Sequence, residues 1–145
     1  MSNDFRSGFV SIIGAPNVGK STLLNQLIGE KLAIISPKPQ TTRNRILAVK
    51  TNPDFQMIFL DTPGIHQARG NLNLAMVHTA LATLATVDLI LFLVEAHSPS
   101  NQSNQRVLEA LQNVETQTLL VVNKIDLVSE ESLARIVERF QALHQ

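Results

Sequence analysis

An α/β fold in three layers, a mostly parallel sheet with helices on both faces, is what these 145 residues predict. Three observations carry the prediction. The apolar period switches repeatedly between strand-like and helix-like spacing. One run, VDLILFLVE at 87–95, is apolar without alternation, as a strand covered on both faces must be. The first strand-like run leads directly into a Gly-rich turn that opens a helical pattern. No repeat, low-complexity tract or linker divides the chain, so residues 1–145 are expected to form one domain, long enough to bury most of the apolar surface of the unfolded chain.

Taken in order, GFVSIIG (8–14) is a short apolar strand ending at a turn. Leu23, Leu24, Leu27 and Ile28 follow at helical spacing, and Gly29 is a suitable stop. Residues 33–44 are irregular and contain proline. ILAVKT (46–51) and FQMIFLD (55–61) are strand-like and separated by the turn signal Asn52-Pro53-Asp54. Leu74, Val77, Leu81 and Leu84 mark a second helix, before the buried strand at 87–95. The polar loop HSPSNQS then leads to a helix carrying Val107, Leu108, Leu111 and Val114. TLLVVNK (118–124) is the last strand. Ser129 can cap a final helix with Glu130 and Glu131 in its first turn, and Leu133, Ile136, Val137 and Phe140 form its inner face.

Composition narrows the function. Apolar residues make up 44% and charged residues 17%, as in a soluble globular protein. Twelve basic and twelve acidic residues balance, so the whole domain has no electrostatic reason to seek nucleic acid or an anionic membrane. The absence of cysteine excludes disulfides and thiolate chemistry and fits a reducing compartment. The start, MSNDFRSG, lacks the apolar core of a signal peptide, and the run Leu89–Val94 is too short to cross a bilayer. A cytoplasmic protein is the expectation.

Chemistry concentrates at strand ends. GAPNVGKS (14–21) fits G-x-x-x-x-G-K-[ST] between a strand and a helix. Gly14 and Gly19 let the backbone curl so that its N–H groups face a phosphate chain, and the helix adds its positive end. Lys20 can reach the β- and γ-phosphates, and the Ser21 hydroxyl can ligate Mg²⁺. The candidate phosphate-binding run is Gly14, Ala15, Pro16, Asn17, Val18, Gly19, Lys20, Ser21 and Thr22. Asp61 ends a strand before Thr62-Pro63-Gly64, which suits a carboxylate meeting Mg²⁺ from the other side and a Gly64 N–H meeting the γ-phosphate. Ile65 completes that candidate segment. NKID (Asn123, Lys124, Ile125, Asp126) lies just past the last strand, where parallel sheets bind ligands. Guanine presents two adjacent N–H donors that one carboxylate, Asp126, can accept together, whereas adenine would turn a lone pair toward it. Asn123 suits the O6/N7 edge, and the stem of Lys124 can cover the base.

With these residues in view, the chain resembles the Era family of GTPases within the Ras-like P-loop superfamily. The resemblance runs from Gly8 to about Asp126 and includes GAPNVGKSTLLNQLIGEKLAIISPKPQTTRNR (14–45) and DTPGIH (61–66). It implies a Ras-like G domain, GTP and GDP as ligands, Mg²⁺ as cofactor, and GTP hydrolysis as the reaction. It also implies that Thr42 is the first-switch threonine closing on Mg²⁺ and the γ-phosphate, with adjacent Thr41 as the alternative. For the family it implies 16S rRNA and the 30S subunit as partners and, by resemblance only, a peripheral membrane association. Family members continue with another strand, an S-A-x loop, a last helix and a KH-type RNA-binding domain. None has a counterpart in 1–145. The expected sheet therefore has five strands, with Thr118–Val122 as an apolar edge, weaker guanine affinity, and RNA contact not expected of this chain alone.

Ras-like proteins often place a water-orienting glutamine where this chain has Ile65, which cannot do that work. Some Era relatives hold K⁺ through an asparagine in the phosphate loop, and Asn17 matches that position. The expectation is that Lys20, Thr42, Gly64 and Asn17 form the catalytic set, with Asn17 as a K⁺ ligand. His66 is better placed as a solvated loop residue than as a base, and His78, His97 and His144 show no catalytic or metal pattern. Lys38, Arg43 and Arg45 form a small basic patch best read as solvated surface. Two alternatives remain: an ATP-using P-loop enzyme such as a kinase, and a truncated nucleotide-binding module without useful turnover.

Overall fold

The computed structural model describes residues 4–15, 17–29, 45–61 and 81–143. In chain order these form β1 (Arg6–Gly14), α1 (Lys20–Ile28), β2 (Arg45–Thr51), β3 (Phe55–Asp61), a helical stretch at 81–84, β4 (Leu89–Glu95), α2 (Gln102–Leu111), β5 (Thr118–Asn123), a 3-10 turn at Ile125–Leu127 and α3 (Glu130–Leu143). The strands make one five-stranded sheet in the order β2-β3-β1-β4-β5. All neighbours are parallel except β2 and β3. That pair is a hairpin because the connection through Asn52 is too short for a crossover, and the Asn52 N–H donates to the Phe55 carbonyl at 2.8 Å. The parallel pairing of β1 with β3 on one side and β4 on the other makes β1 the switch point of the sheet.

Strand alternation sorts the core into two layers. Ile13, Leu60, Ile90, Phe92 and Val94 pack with Leu84, Val107 and Leu111, and with Ile136 and Phe140 of α3. On the opposite face Val10, Ile12, Phe59 and Leu91 pack around Leu24 of α1. β4 is buried on both faces through its centre, which explains its unbroken apolar run. Phe92 and Phe140 meet edge to face with ring centroids 5.8 Å apart, locking α3 to the sheet.

Helix ends follow local chemistry. Gly29 ends α1 in the left-handed region at φ 79°, and its N–H donates to the Asn25 carbonyl. The Lys50 ammonium of β2 donates to the nearby Leu27 carbonyl, satisfying another group of that last turn. Asn101 caps α2, its side chain accepting from the Asn104 N–H at 2.8 Å. Ser129 caps α3, with Glu130 and Glu131 in the first turn as expected.

Some boundaries differ from the sequence pattern. β1 begins earlier, at Arg6, because its backbone pairs with β3 from Phe55 onward. β4 begins later, at Leu89, because Asp88 is used as a clip. Its carboxylate accepts from the Phe9 N–H at 2.7 Å, and its own N–H donates to the Phe9 carbonyl at 2.9 Å. Val114 lies beyond α2 and packs on the core from the following turn. Leu74 and Val77 lie outside the described residues. Among the described residues no helix is long and apolar enough to cross a membrane.

Candidate functional site

The loop after β1 is shaped by close approaches. Gly14 sits opposite Leu93 in the β1–β4 pair, and an added Cβ would fall within 3.0 Å of the Leu93 carbonyl oxygen. Asn17 and Gly19 have φ of 62° and 104°, in the left-handed region, between which Val18 turns its side chain into the protein and is only 1% exposed. Alternating backbone handedness of this kind gathers N–H groups into an anion-binding concavity. The Lys20 ammonium donates to the carbonyls of Gly14 at 2.9 Å and Ala15 at 2.6 Å. Partial burial lowers its pKa from 10.5 to about 8, because desolvation penalises the charged form.

The end of β5 is stitched to this loop across more than a hundred residues of sequence. The Asn123 amide donates to the Val18 carbonyl at 2.9 Å. The same amide is what an added Cβ on Gly19 would strike. Lys124 takes a left-handed backbone conformation, φ 57°, and its ammonium donates to the Asn17 carbonyl at 3.4 Å. That ammonium is also paired with the Glu95 carboxylate, whose other oxygen lies 3.4 Å from His97 Nε2. Asp126 follows in the exposed 3-10 turn.

The fold therefore brings together Ala15, Asn17, Val18, Gly19 and Lys20 with Asn123 and Lys124. One N–H of the Asn123 amide is engaged with the loop, which leaves the other for a base edge. Ser21 and Thr22 occupy the first turn of α1 and are exposed. Asp61 ends β3 beside β1, so its backbone leaves the sheet at the same edge as the loop after Gly14. Pro16, Thr42, Thr62, Pro63, Gly64 and Ile65 lie outside the described residues, as do Thr41, His66, His78, Lys38, Arg43 and His144. Among the described residues no three His, Cys, Asp or Glu side chains cluster as a metal cage. Ser21 and Asp61 would offer Mg²⁺ one hydroxyl and one carboxylate, a sparse hard-oxygen set that it accepts when phosphates complete its shell.

Sequence reasoning missed Glu95 and its neighbour His97. A signal existed: Glu95 is the single charge between Leu89 and Ala96, at the C-terminal end of an apolar strand. What was not visible is that β4 and β5 run in a register placing Glu95 opposite Asn123.

A phosphate-type loop between a central parallel strand and its helix, joined to an Asn-Lys pair at the end of β5, defines a Ras-like P-loop G domain. A family model described as 50S ribosome-binding GTPase matches residues 9–124, and the chain belongs to that family. Within it the likeness is to Era. GTPase Era of Geotalea uraniireducens is 56% identical over 141 residues, covering 97% of this chain and 47% of that protein. A crystal structure of Era in complex with MgGDPNP and nucleotides 1506–1542 of 16S ribosomal RNA is 38% identical, with TM-score 0.71, covering 97% of this chain and 48% of that one. A single-substitution variant of Aquifex aeolicus Era bound to GDP·AlF4⁻ is likewise 38% identical, with TM-score 0.68 over 95% of this chain and 48% of that one. The chain thus spans about half the length of the curated relatives it matches.

Proposed function

We propose that residues 1–145 bind GTP and GDP with Mg²⁺ and hydrolyse GTP as the switch of an Era-type protein. The observation that carries this reading is the double tie between NKID and the phosphate loop, Asn123 to Val18 and Lys124 to Asn17. A nucleotide whose phosphates lie in the loop then has its base beside Asn123, Lys124, Ile125 and Asp126. Asp126 accepts the two guanine N–H donors, Asn123 offers its remaining N–H, and the Lys124 stem covers the ring. Gly14, Ala15, Pro16, Val18, Gly19 and Thr22 surround the phosphates, and Lys20 leaves the Gly14 and Ala15 carbonyls for the β- and γ-oxygens. Ser21, Thr42 and Asp61 hold Mg²⁺, which when bound neutralises the charge developing on the transferred phosphoryl group. In this reading the Gly64 N–H of the Thr62-Pro63-Gly64 segment meets the γ-phosphate, and Ile65 at the next position has no group that could orient water.

The reading is tested by thermal unfolding with Mg²⁺ and either GDP or ADP. A ligand at a hundred times its Kd adds about 2.7 kcal/mol of apparent stability. GDP raises the midpoint and ADP leaves it unchanged. An equal rise would favour the ATP-enzyme alternative, and no rise with either would leave a chain that does not bind nucleotide.

We further propose that Asn17 ligates K⁺ and that this positive charge stands where an arginine would otherwise act. Ile65 offers nothing to orient water, and Asn17 is exposed at a left-handed turn of the loop. An arginine in that role is worth roughly 10³–10⁵ in rate. GTP turnover should be far faster in KCl than in NaCl, and equal rates would remove K⁺ from the mechanism. As the setting of an Era-type protein we propose 16S rRNA and 30S assembly. The support is the Era complex with 16S rRNA, and the balanced charge of 1–145 gives this stretch no overall attraction to RNA.

A further inference from the structure

We infer that Glu95 is a positioning residue for guanine nucleotide binding, holding Lys124 in the pose in which its stem can cover the base. The inference rests on the reading of NKID given above. Lys124 has the longest and intrinsically most flexible side chain of that motif, with four rotatable bonds, and it is 39% exposed. Left to itself, such a side chain samples many rotamers, and a ligand that needs one of them must supply the ordering free energy.

The structure shows how that disorder is removed. The left-handed backbone of Lys124 aims the chain back across the end of the sheet, where its ammonium meets the Glu95 carboxylate and the Asn17 carbonyl together. Glu95 is itself well held. It ends β4 in register with Asn123, its side chain is only 18% exposed, and its second oxygen faces His97 Nε2 at 3.4 Å. The N–H of Ala96 donates to the Asn123 carbonyl at 2.9 Å, so the backbone around the carboxylate is fixed to the same strand end. A charge-assisted bond at a half-buried strand terminus is stronger than the same pair in open solvent. Glu95 reaches the nucleotide only through Lys124, so it positions rather than reacts.

The pair is also suited to endure in the complex. Guanine stacking uses the methylene stem, and Asp126 uses the opposite edge of the base, so neither competes with Glu95 for the ammonium. The consequence is that Glu95 and Lys124 act as one unit toward guanine nucleotide.

The test is GDP binding to this chain with Mg²⁺, by fluorescent-nucleotide displacement, for the wild type, Glu95→Ala, Glu95→Gln, Lys124→Ala and the Glu95→Ala/Lys124→Ala double variant. Immobilising one long side chain is worth roughly threefold to tenfold in Kd. Glu95→Ala should weaken GDP by that factor, mainly through faster release. Glu95→Gln, which keeps a hydrogen-bond acceptor without the charge, should fall between it and wild type. The double variant should bind no more weakly than Lys124→Ala alone. Melting without nucleotide controls for folding, and Glu95→Gln carries the test if Glu95→Ala melts early. Wild-type affinity in both Glu95 variants, or additive losses in the double variant, would overturn the assignment. Failure of the wild type itself to bind GDP would overturn the reading beneath it, which is a separate and distinguishable result.

Discussion

Gly19 carries two constraints at once. Its φ of 104° is costly for any side chain, and an added Cβ would run into the Asn123 amide that bonds the Val18 carbonyl. Gly19→Ala therefore stores strain of about 1–3 kcal/mol or breaks the tie between the loop and NKID. Titration with GDP should show a large loss of affinity, while the two core layers, of which Gly19 is no member, keep a cooperative melt. Lys20 supplies a pH dependence. In the unfolded chain it titrates near 10.5 and in the folded chain near 8, so the unfolded state binds more protons between those values. Its burial thus opposes folding at and below pH 8, and the penalty is relieved as pH rises toward 10.5. Nucleotide affinity moves the other way, because phosphate favours the ammonium. GDP binding should be level below pH 8 and weaker by about tenfold for each unit above it, until the lysine of the complex titrates. A flat affinity between pH 7 and 9.5 would show either that Lys20 keeps its proton over that range in the free chain or that it does not meet the phosphates, and Lys20→Ala, which should bind GDP at wild-type strength only in the second case, separates the two.

At the scale of elements, α3 depends on one ring. Phe140 is buried, meets Phe92 edge to face, and with Ile136 forms the inner side of the helix. Phe140→Ala should cost about 3–5 kcal/mol in denaturant unfolding. Because Phe140 belongs to the core and to none of the hydrogen bonds that tie the phosphate loop to NKID, GDP affinity of the folded fraction should stay near wild type. The existence of α3 was legible beforehand, since Ser129, two glutamates and an apolar stripe at helical spacing mark it without reference to anything distant. The same holds for β4, whose short unbroken apolar run reads as a covered strand, and for the phosphate loop, whose spacing is set by local backbone geometry. What stayed hidden depends on partners far along the chain. The start of β4 was misplaced by two residues because Asp88 prefers the Phe9 N–H to a strand position. The bulge in β2, where the register to β3 shifts between Ile46 and Ala48, leaves no mark in ILAVKT. In the sequence Glu95 is only the polar end of an apolar strand, and the register with Asn123 is what gives it Lys124 as a partner.

For the whole molecule, the sheet order decides both where ligand binds and where the fold is exposed. β1 at the switch point gathers the functional loops at one edge, while β5 lies at the end of the sheet with its outer backbone groups unpaired by any described strand. β5 has no charge and no proline, and Leu119 is 54% exposed on the face that Val121 shares with the α1 layer. An uncharged apolar edge of this kind is a template for pairing with another chain. The isolated chain should therefore self-associate as its concentration rises, seen as a growing weight-average mass in sedimentation. Leu119→Lys should suppress that growth, since a charge on the exposed face makes edge pairing unfavourable, yet change folding stability by no more than about 0.5 kcal/mol because the side chain is mostly in solvent. Ile46→Lys, at an exposed position on the opposite edge strand β2, serves as the control and should leave association as it was. A wild-type chain that remains monomeric at high concentration, or one whose association responds to Ile46 rather than Leu119, would show that the β5 edge is not the sticky surface of the sheet.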